Sequence, residues 1–136
     1  MNRDLVSIVQ LPKIIDERGN LTFLQNEDQI PFIVKRVFWI YDVPGGEYRG
    51  GHANKTQHEL IIALSGSFDI VVKNTAGEEF KFCLNRSYFG LYLPPNTWRH
   101  MENFSTNSVS IHLCSTEFEE EDYIRDFDNF QHTYNG

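Results

Sequence analysis

Along most of the chain, apolar and polar residues alternate in short runs separated by turn residues, which is the period of β-strands rather than helices. Leu5 to Leu11 alternates loosely and stops at Pro12, a short first strand. Asp16-Glu17-Arg18-Gly19-Asn20 has turn chemistry, and Leu21 to Leu24 predicts the next strand. The strongest strand pattern runs from Pro31 to Val43. Phe32, Val34, Arg36, Phe38 and Ile40 share one face, and Ile33, Lys35, Val37, Trp39 and Tyr41 the other. Bulk on both faces places such a strand inside a barrel or sandwich. Pro44-Gly45-Gly46 breaks it, and the stretch from Tyr48 reads as a loop that enters a strand at His58 to Leu64. A meander follows, with strands at Phe68 to Lys73, Glu78 to Leu84, Ser87 to Leu93, from Thr97, and Ser108 to Ser115. Near the end, Phe118, Tyr123, Phe127 and Phe130 recur at roughly helical spacing and predict a short helix against the sheet. The expectation is an all-β domain spanning 1–136, a double-sheet jelly roll or small barrel of about ten strands. The two-faced strand and an early edge strand further suggest a dimer with sheets extended between subunits.

Composition narrows this picture. Apolar residues make up 40% of the chain and aromatics 14%, enough for a packed core without metal or disulfide support. The longest apolar runs, such as Leu60 to Leu64, are too short to span a bilayer, and the N-terminus lacks the apolar run of a signal peptide, so a cytoplasmic location and no membrane partner are expected. A net charge of −7 argues against a nucleic-acid surface. Much of that charge sits in the tail around Glu117 to Asp122, so Arg36, Arg49, Lys55 and Arg99 remain free to build a cationic pocket for a phosphorylated small molecule. Cys83 and Cys114 have hydrophobic neighbours and read as buried free thiols.

The densest chemistry lies between Tyr48 and Glu59. Gly46, His52, Asn54, Glu59 and Gly66 reproduce the spacing of the first cupin motif, with Asn in the place of its second His, and Gly90, Pro95 and His100 form a weaker second motif. Residues two apart on a strand face the same side, so His52 and Asn54 would both look into the barrel mouth. Two readings follow. In one, His52, Glu59 and His100 ligate a divalent transition metal. In the other, the same positions form a metal-free pocket in which an imidazole takes and returns a proton near neutrality. The bland alternative is a satisfied polar residue, the more natural reading for His58 and His112, and core or pocket wall for Trp98.

The runs IPFIVKRVFWIYDVPGGEYRGGHANK, ALSGSFDIVV, GLYLPPNTWRHMENFS and FEEEDYIRDFDNF resemble, in unbroken order, the cupin-type dTDP-sugar 3,4-ketoisomerases. The resemblance implies a double-stranded β-helix jelly roll, a homodimer that exchanges strands, no cofactor, and conversion of a dTDP-4-keto-6-deoxy sugar to its 3-keto isomer on the way to surface polysaccharide. It implies His52 as the proton-transfer residue, Asn54 orienting the sugar and Tyr41 supplying a hydroxyl. Arg49, Lys55, Arg36, Arg18 and Arg99 would hold phosphate or sugar oxygens, with Trp39 and Trp98 as aromatic walls. The chain departs from the pattern at Asn54, where family members carry the second His, at Phe38 and Trp39 in place of two tyrosines, and at Glu59 and His100 in place of Gln and Glu. An amide does not titrate near neutrality. A nucleotide-sugar binding module without turnover, or a metal enzyme using His52, Glu59 and His100, are the alternatives these departures raise.

Overall fold

A computed structural model describes residues 2–134. Among these residues the chain forms twelve strands, one 3-10 turn (Glu120–Asp122) and one α-helix: β1 (Ser7–Gln10), β2 (Lys13–Ile14), β3 (Leu21–Thr22), β4 (Arg36–Ile40), β5 (Arg49–Asn54), β6 (Glu59–Ser65), β7 (Phe68–Lys73), β8 (Glu79–Leu84), β9 (Phe89–Leu93), β10 (Trp98–Glu102), β11 (Val109–Cys114), β12 (Tyr123–Ile124) and α1 (Phe127–Tyr134). Two five-stranded antiparallel sheets face each other, in the orders β1-β9-β6-β11-β4 and β12-β5-β10-β7-β8, while β2 and β3 pair as a separate ribbon. This is the expected jelly roll.

Alternation places the core. Ile61, Ala63, Leu91 and Leu93 from the first sheet meet Phe68, Ile70, Val72 and Met101 from the second, all buried. The outer face of the first sheet is covered as well: Leu60, Ile62 and Tyr92 pack under Val9, Leu11, Ile30 and Phe32. On the outside of the second sheet, Ala53, Trp98 and Ile124 receive Phe130 of α1. The central strand β6 is therefore apolar on both faces, and the barrel end between β4, β5, β6, β10, β11 and β12 is left to polar residues.

Three elements differ from the sequence expectation. The strand expected over 31–43 is regular only at Arg36–Ile40, because Phe32 folds into the outer cluster and the Val34 N–H is held by the Asn26 side chain at 3.0 Å. Part of the glycine-rich stretch read as a loop is instead strand β5, whose pairing with β10 slips between Arg99↔His52 and Met101↔Arg49. Gly50, at φ +81°, sits in that irregularity, so glycines that look like loop residues supply a bulge. The expected C-terminal helix begins later, at Phe127, since Tyr123–Ile124 pairs with β5 as an edge strand. Cys114 is buried as expected, but Cys83 on the outer edge strand β8 is exposed.

Gly90 shows how closely β9 and β6 approach. A Cβ there would lie 2.6 Å from the Ile61 carbonyl oxygen and 2.9 Å from Ile62 Cγ1. Gly90→Ala is expected to lower the unfolding free energy by about 1–3 kcal/mol in urea denaturation, the usual cost of overpacking. A variant with the wild-type midpoint would contradict this packing.

Candidate active site

The polar end of the barrel encloses a cavity of about 240 Å³. Phe38 and Ile40 of β4, Glu59 and Ile61 of β6 and His112 of β11 form one wall, all from the first sheet. Arg49, Gly50 and His52 of β5, Arg99 and Met101 of β10, and Tyr123 of β12 form the other, with Arg125 beside Tyr123. Arg49 and Arg125 stand exposed at its mouth.

Glu59 organises the floor. It is buried, and its Oε1 accepts Arg99 Nη2 at 2.9 Å and Gln57 Nε2 at 3.3 Å, while Oε2 accepts His112 Nδ1 at 2.6 Å. Burial alone would push its carboxyl up, but Arg99 and then His112 outweigh this and hold it at about 2. Arg99 is fixed further by donating Nη1 to the Thr97 carbonyl at 2.9 Å. His112 continues the chain, with Nε2 2.9 Å from Ser110 Oγ and its ring stacked 4.3 Å from Phe38 at an interplanar angle of 8°. On the far side, Arg36 donates Nη2 to Gln57 Oε1 at 2.9 Å and to the Tyr123 hydroxyl at 3.0 Å.

His52 lies on the opposite wall with its ring 4.9 Å from that of Tyr123. Burial, then the positive charge of Arg99, lower its pKa to about 3, although Glu59 pulls the other way. Its imidazole is therefore neutral near neutral pH and carries a lone pair. The tail holds Tyr123 in place through Asp122, whose carboxylate accepts the Thr56 N–H and hydroxyl, the Gln57 N–H and, at 3.3 Å, Asn54 Nδ2.

Of the residues singled out from sequence, the structure brings His52, Arg49, Arg99 and Glu59 to the cavity, with Arg36 bonded just behind it. Asn54 points inward without lining the cavity: its Nδ2 donates to Asp122, tying β5 to the tail, while its buried Oδ1 has no other partner and acts on the His52 imidazole. Trp39 and Tyr41 are corrected: Trp39 on the outer face of β4 and Tyr41 just beyond its end are 58% and 60% exposed, because Phe38 and Ile40 take the inner face. Trp98, adjacent to Arg99, likewise faces outward and packs on Phe127 and Phe130. Lys55 is exposed at the end of β5 and Arg18 is exposed in the β2–β3 turn, paired with Asp16 at 2.8 Å, so neither reaches this cavity within the chain. His100 also faces away, bonding Glu102 at 2.6 Å, so the ligand set His52, Glu59 and His100 is not assembled. No cluster of His, Cys, Asp and Glu with metal-ligand geometry occurs among the described residues. Sequence reasoning missed His112, Tyr123 and Arg125. Only the alternation of β11, which puts Ser110, His112 and Cys114 on one face, carried a signal for His112.

Comparison with known proteins identifies a family for the chain. The family described as FdtA, WxcM-like, C-terminal matches residues 4–135. A TDP-4-oxo-6-deoxy-alpha-D-glucose-3,4-oxoisomerase of Aneurinibacillus thermoaerophilus is 36% identical over 124 residues, covering 91% of this chain and 88% of the relative. A 3,4-ketoisomerase from Helicobacter canadensis superposes with a TM-score of 0.93 at 36% identity, covering 98% and 99% of the two chains. The sugar 3,4-ketoisomerase QdtA from Thermoanaerobacterium thermosaccharolyticum, solved with TDP, gives 0.93 at 35% identity, covering 96% and 94%.

The charge states make stability fall with acid. Folding keeps His52 neutral, so its contribution is complete above the ordinary imidazole value of 6.5 and is lost as pH drops toward about 3. His58, lowered mainly by burial, acts in the same direction. Glu59 contributes fully above 4.5 and loses that contribution toward about 2. His52→Gln is expected to flatten the decline in unfolding free energy between pH 6.5 and 4, and Glu59→Gln the decline below 4.5. Unchanged slopes in pH-dependent urea unfolding would contradict these assignments.

Proposed function

This chain belongs to the FdtA family of WxcM-like, C-terminal proteins, and we infer that it is a TDP-4-keto-6-deoxy-sugar 3,4-ketoisomerase of deoxysugar biosynthesis. The observation that carries the reading is the cavity itself: a neutral imidazole, His52, faces a hexose-sized space ringed by Arg49, Arg99 and Arg125, in a chain that matches such isomerases over nearly its whole length.

Moving a ketone from C4 to C3 requires a base at the C3 hydrogen, stabilisation of the enediolate and return of a proton at C4. The His52 lone pair is placed to take the C3 proton. Guanidinium donors stabilise negative charge on the enediolate oxygens without being able to give up a proton themselves. Arg49 and Arg125 at the mouth suit a diphosphate, and such an anion would offset the part of the lowering of His52 that comes from Arg125, which is smaller than that from burial and Arg99. Asn54, held by Asp122, supports the wall and carries no proton itself. The chemistry proposed routes no step through a metal, and His100 of the alternative ligand set faces away and bonds Glu102.

The active species is proposed to be a homodimer. Apolar residues are exposed along the N-terminal strands and on β4, among them Ile8, Ile14, Leu21, Val37, Trp39 and Tyr41, and both β1 and β4 are sheet edges. The product would supply an aminotransferase acting on a 3-keto sugar.

Incubation with TDP-4-keto-6-deoxyglucose should yield a 3-keto product that a sugar aminotransferase traps. His52→Ala should lower kcat by on the order of 10²- to 10⁴-fold while TDP still binds. TDP binding without turnover by the wild-type protein would instead identify a binding module, and loss of rate on chelation with recovery on metal addition would restore the metal reading. Light scattering should give roughly twice the 15.9 kDa chain mass, and a monomer would refute the dimer.

A further inference from the structure

A neutral imidazole has one bare ring nitrogen and one that carries hydrogen, and only the bare one can take a proton from carbon. His52 serves as the base only if its bare nitrogen is the one that meets the sugar. Which nitrogen that is depends on the hydrogen bond made by the other. The acceptors lining the cavity are already engaged. Glu59 has both oxygens committed, to Arg99 and Gln57 on one side and to His112 on the other, and the second His112 nitrogen is taken by Ser110. The Tyr123 hydroxyl accepts from Arg36. Arginine can only donate.

One acceptor stands free. Asn54 lies two residues after His52 in β5, so the two side chains share a face of the strand. It is wholly buried. Its Nδ2 donates to Asp122 Oδ2 at 3.3 Å, and this contact decides which way the amide is turned, because a flipped amide would press its oxygen against a carboxylate. Oδ1 is thereby held away from Asp122, buried and without a fixed partner among the described residues. Buried polar atoms are seldom left so. Asp122 is itself anchored, since it also accepts the N–H and hydroxyl of Thr56 and the N–H of Gln57.

Building on the isomerase reading, we propose that Asn54 is the positioning residue of the base, its Oδ1 receiving one ring N–H of His52 so that the bare nitrogen is left to the cavity. The direction of its influence agrees: Asn54 favours the protonated ring, while burial and Arg99 oppose it. Asp122, Asn54 and His52 form a chain in which the carboxylate polarises the amide and the amide fixes the imidazole. The anchor matters. An amide that turned its Nδ2 to the ring would impose the wrong tautomer, a fault that costs a serine-protease triad roughly 10⁴-fold when Asn replaces its Asp. When the cavity nitrogen takes the C3 proton, the other N–H of the imidazolium already has its acceptor, so nothing has to turn. The new proton stays on the side of the sugar. An imidazole at position 54 could draw that proton away, whereas an amide does not titrate and cannot. Asn in the place of a second His thus removes a proton carrier and keeps an acceptor.

Long-range proton–nitrogen NMR correlation of the imidazole, on the full chain near neutral pH, reads the tautomer of His52. Wild-type protein should show a single tautomer. Asn54→Ala should show a mixture and lower kcat for TDP-4-keto-6-deoxyglucose by on the order of 10- to 10²-fold, less than a wholly wrong tautomer costs a triad, with TDP affinity unchanged. Thr56→Ala, which cuts another bond to Asp122 without reaching His52, should leave the tautomer as it is. A mixture in the wild type, an unchanged single tautomer in Asn54→Ala, or wild-type kcat in that variant overturns the assignment. A crystal structure of the wild type should place one His52 ring nitrogen within hydrogen-bond distance of Asn54 Oδ1, and a ring turned away overturns the assignment whether or not the variant folds. A wild type that shows the single tautomer and the contact but no turnover overturns the isomerase reading and with it the catalytic use of the bond, a failure that the spectrum keeps separate.

Discussion

A buried carboxylate, Glu59, joins the two sheets across the cavity. It stands on β6 of the first sheet, and its ion pair to Arg99 reaches β10 of the second, with both side chains almost wholly withdrawn from water. Taking such charges out of solvent costs several kcal/mol per ion, and only close geometry with further hydrogen bonds offsets it. The further bonds are present: Gln57 and His112 donate to Glu59, and Arg99 donates to the Thr97 carbonyl. Removing either charge leaves the other uncompensated, so the pair is retained less for net stability than for the arrangement it imposes. That arrangement is the site, because the same carboxylate aims Arg99 along one wall and orients His112 on the other.

Asp122 does for the tail what Glu59 does for the floor. By accepting from Asn54, Thr56 and Gln57 it pins the chain end against the turn after β5, which lets β12 pair with β5 and brings Tyr123 beside His52. Gln57 connects the two centres, receiving Arg36 and Thr116 while donating to Glu59. The polar side chains at this end of the barrel thus form one connected set, and substitutions within it should not act independently.

Strand spacing and turn residues made the jelly roll legible, since alternation with period two survives wherever one face is buried. The same period explains the errors. Phe38 and Trp39, or Arg99 and His100, are neighbours whose roles exchange on a shift of one residue, and nothing local decides which of two bulky faces looks inward. Trp39 and Tyr41 were therefore assigned to the site and Phe38 was not. β5 was hidden by its glycines, which mark a bulge here. His112 was unreadable as functional because its partner Glu59 is far away in sequence and meets it only through the pairing of β11 with β6.

The central claim is that a keto-sugar lies in the cavity beside His52 with its diphosphate toward Arg49 and Arg125. The most direct measurement is a crystal structure of the protein with TDP-4-keto-6-deoxyglucose bound. The account predicts C3 within reach of a His52 ring nitrogen and the diphosphate at the mouth. A sugar held outside this cavity, or one with C3 turned away from His52, would contradict it.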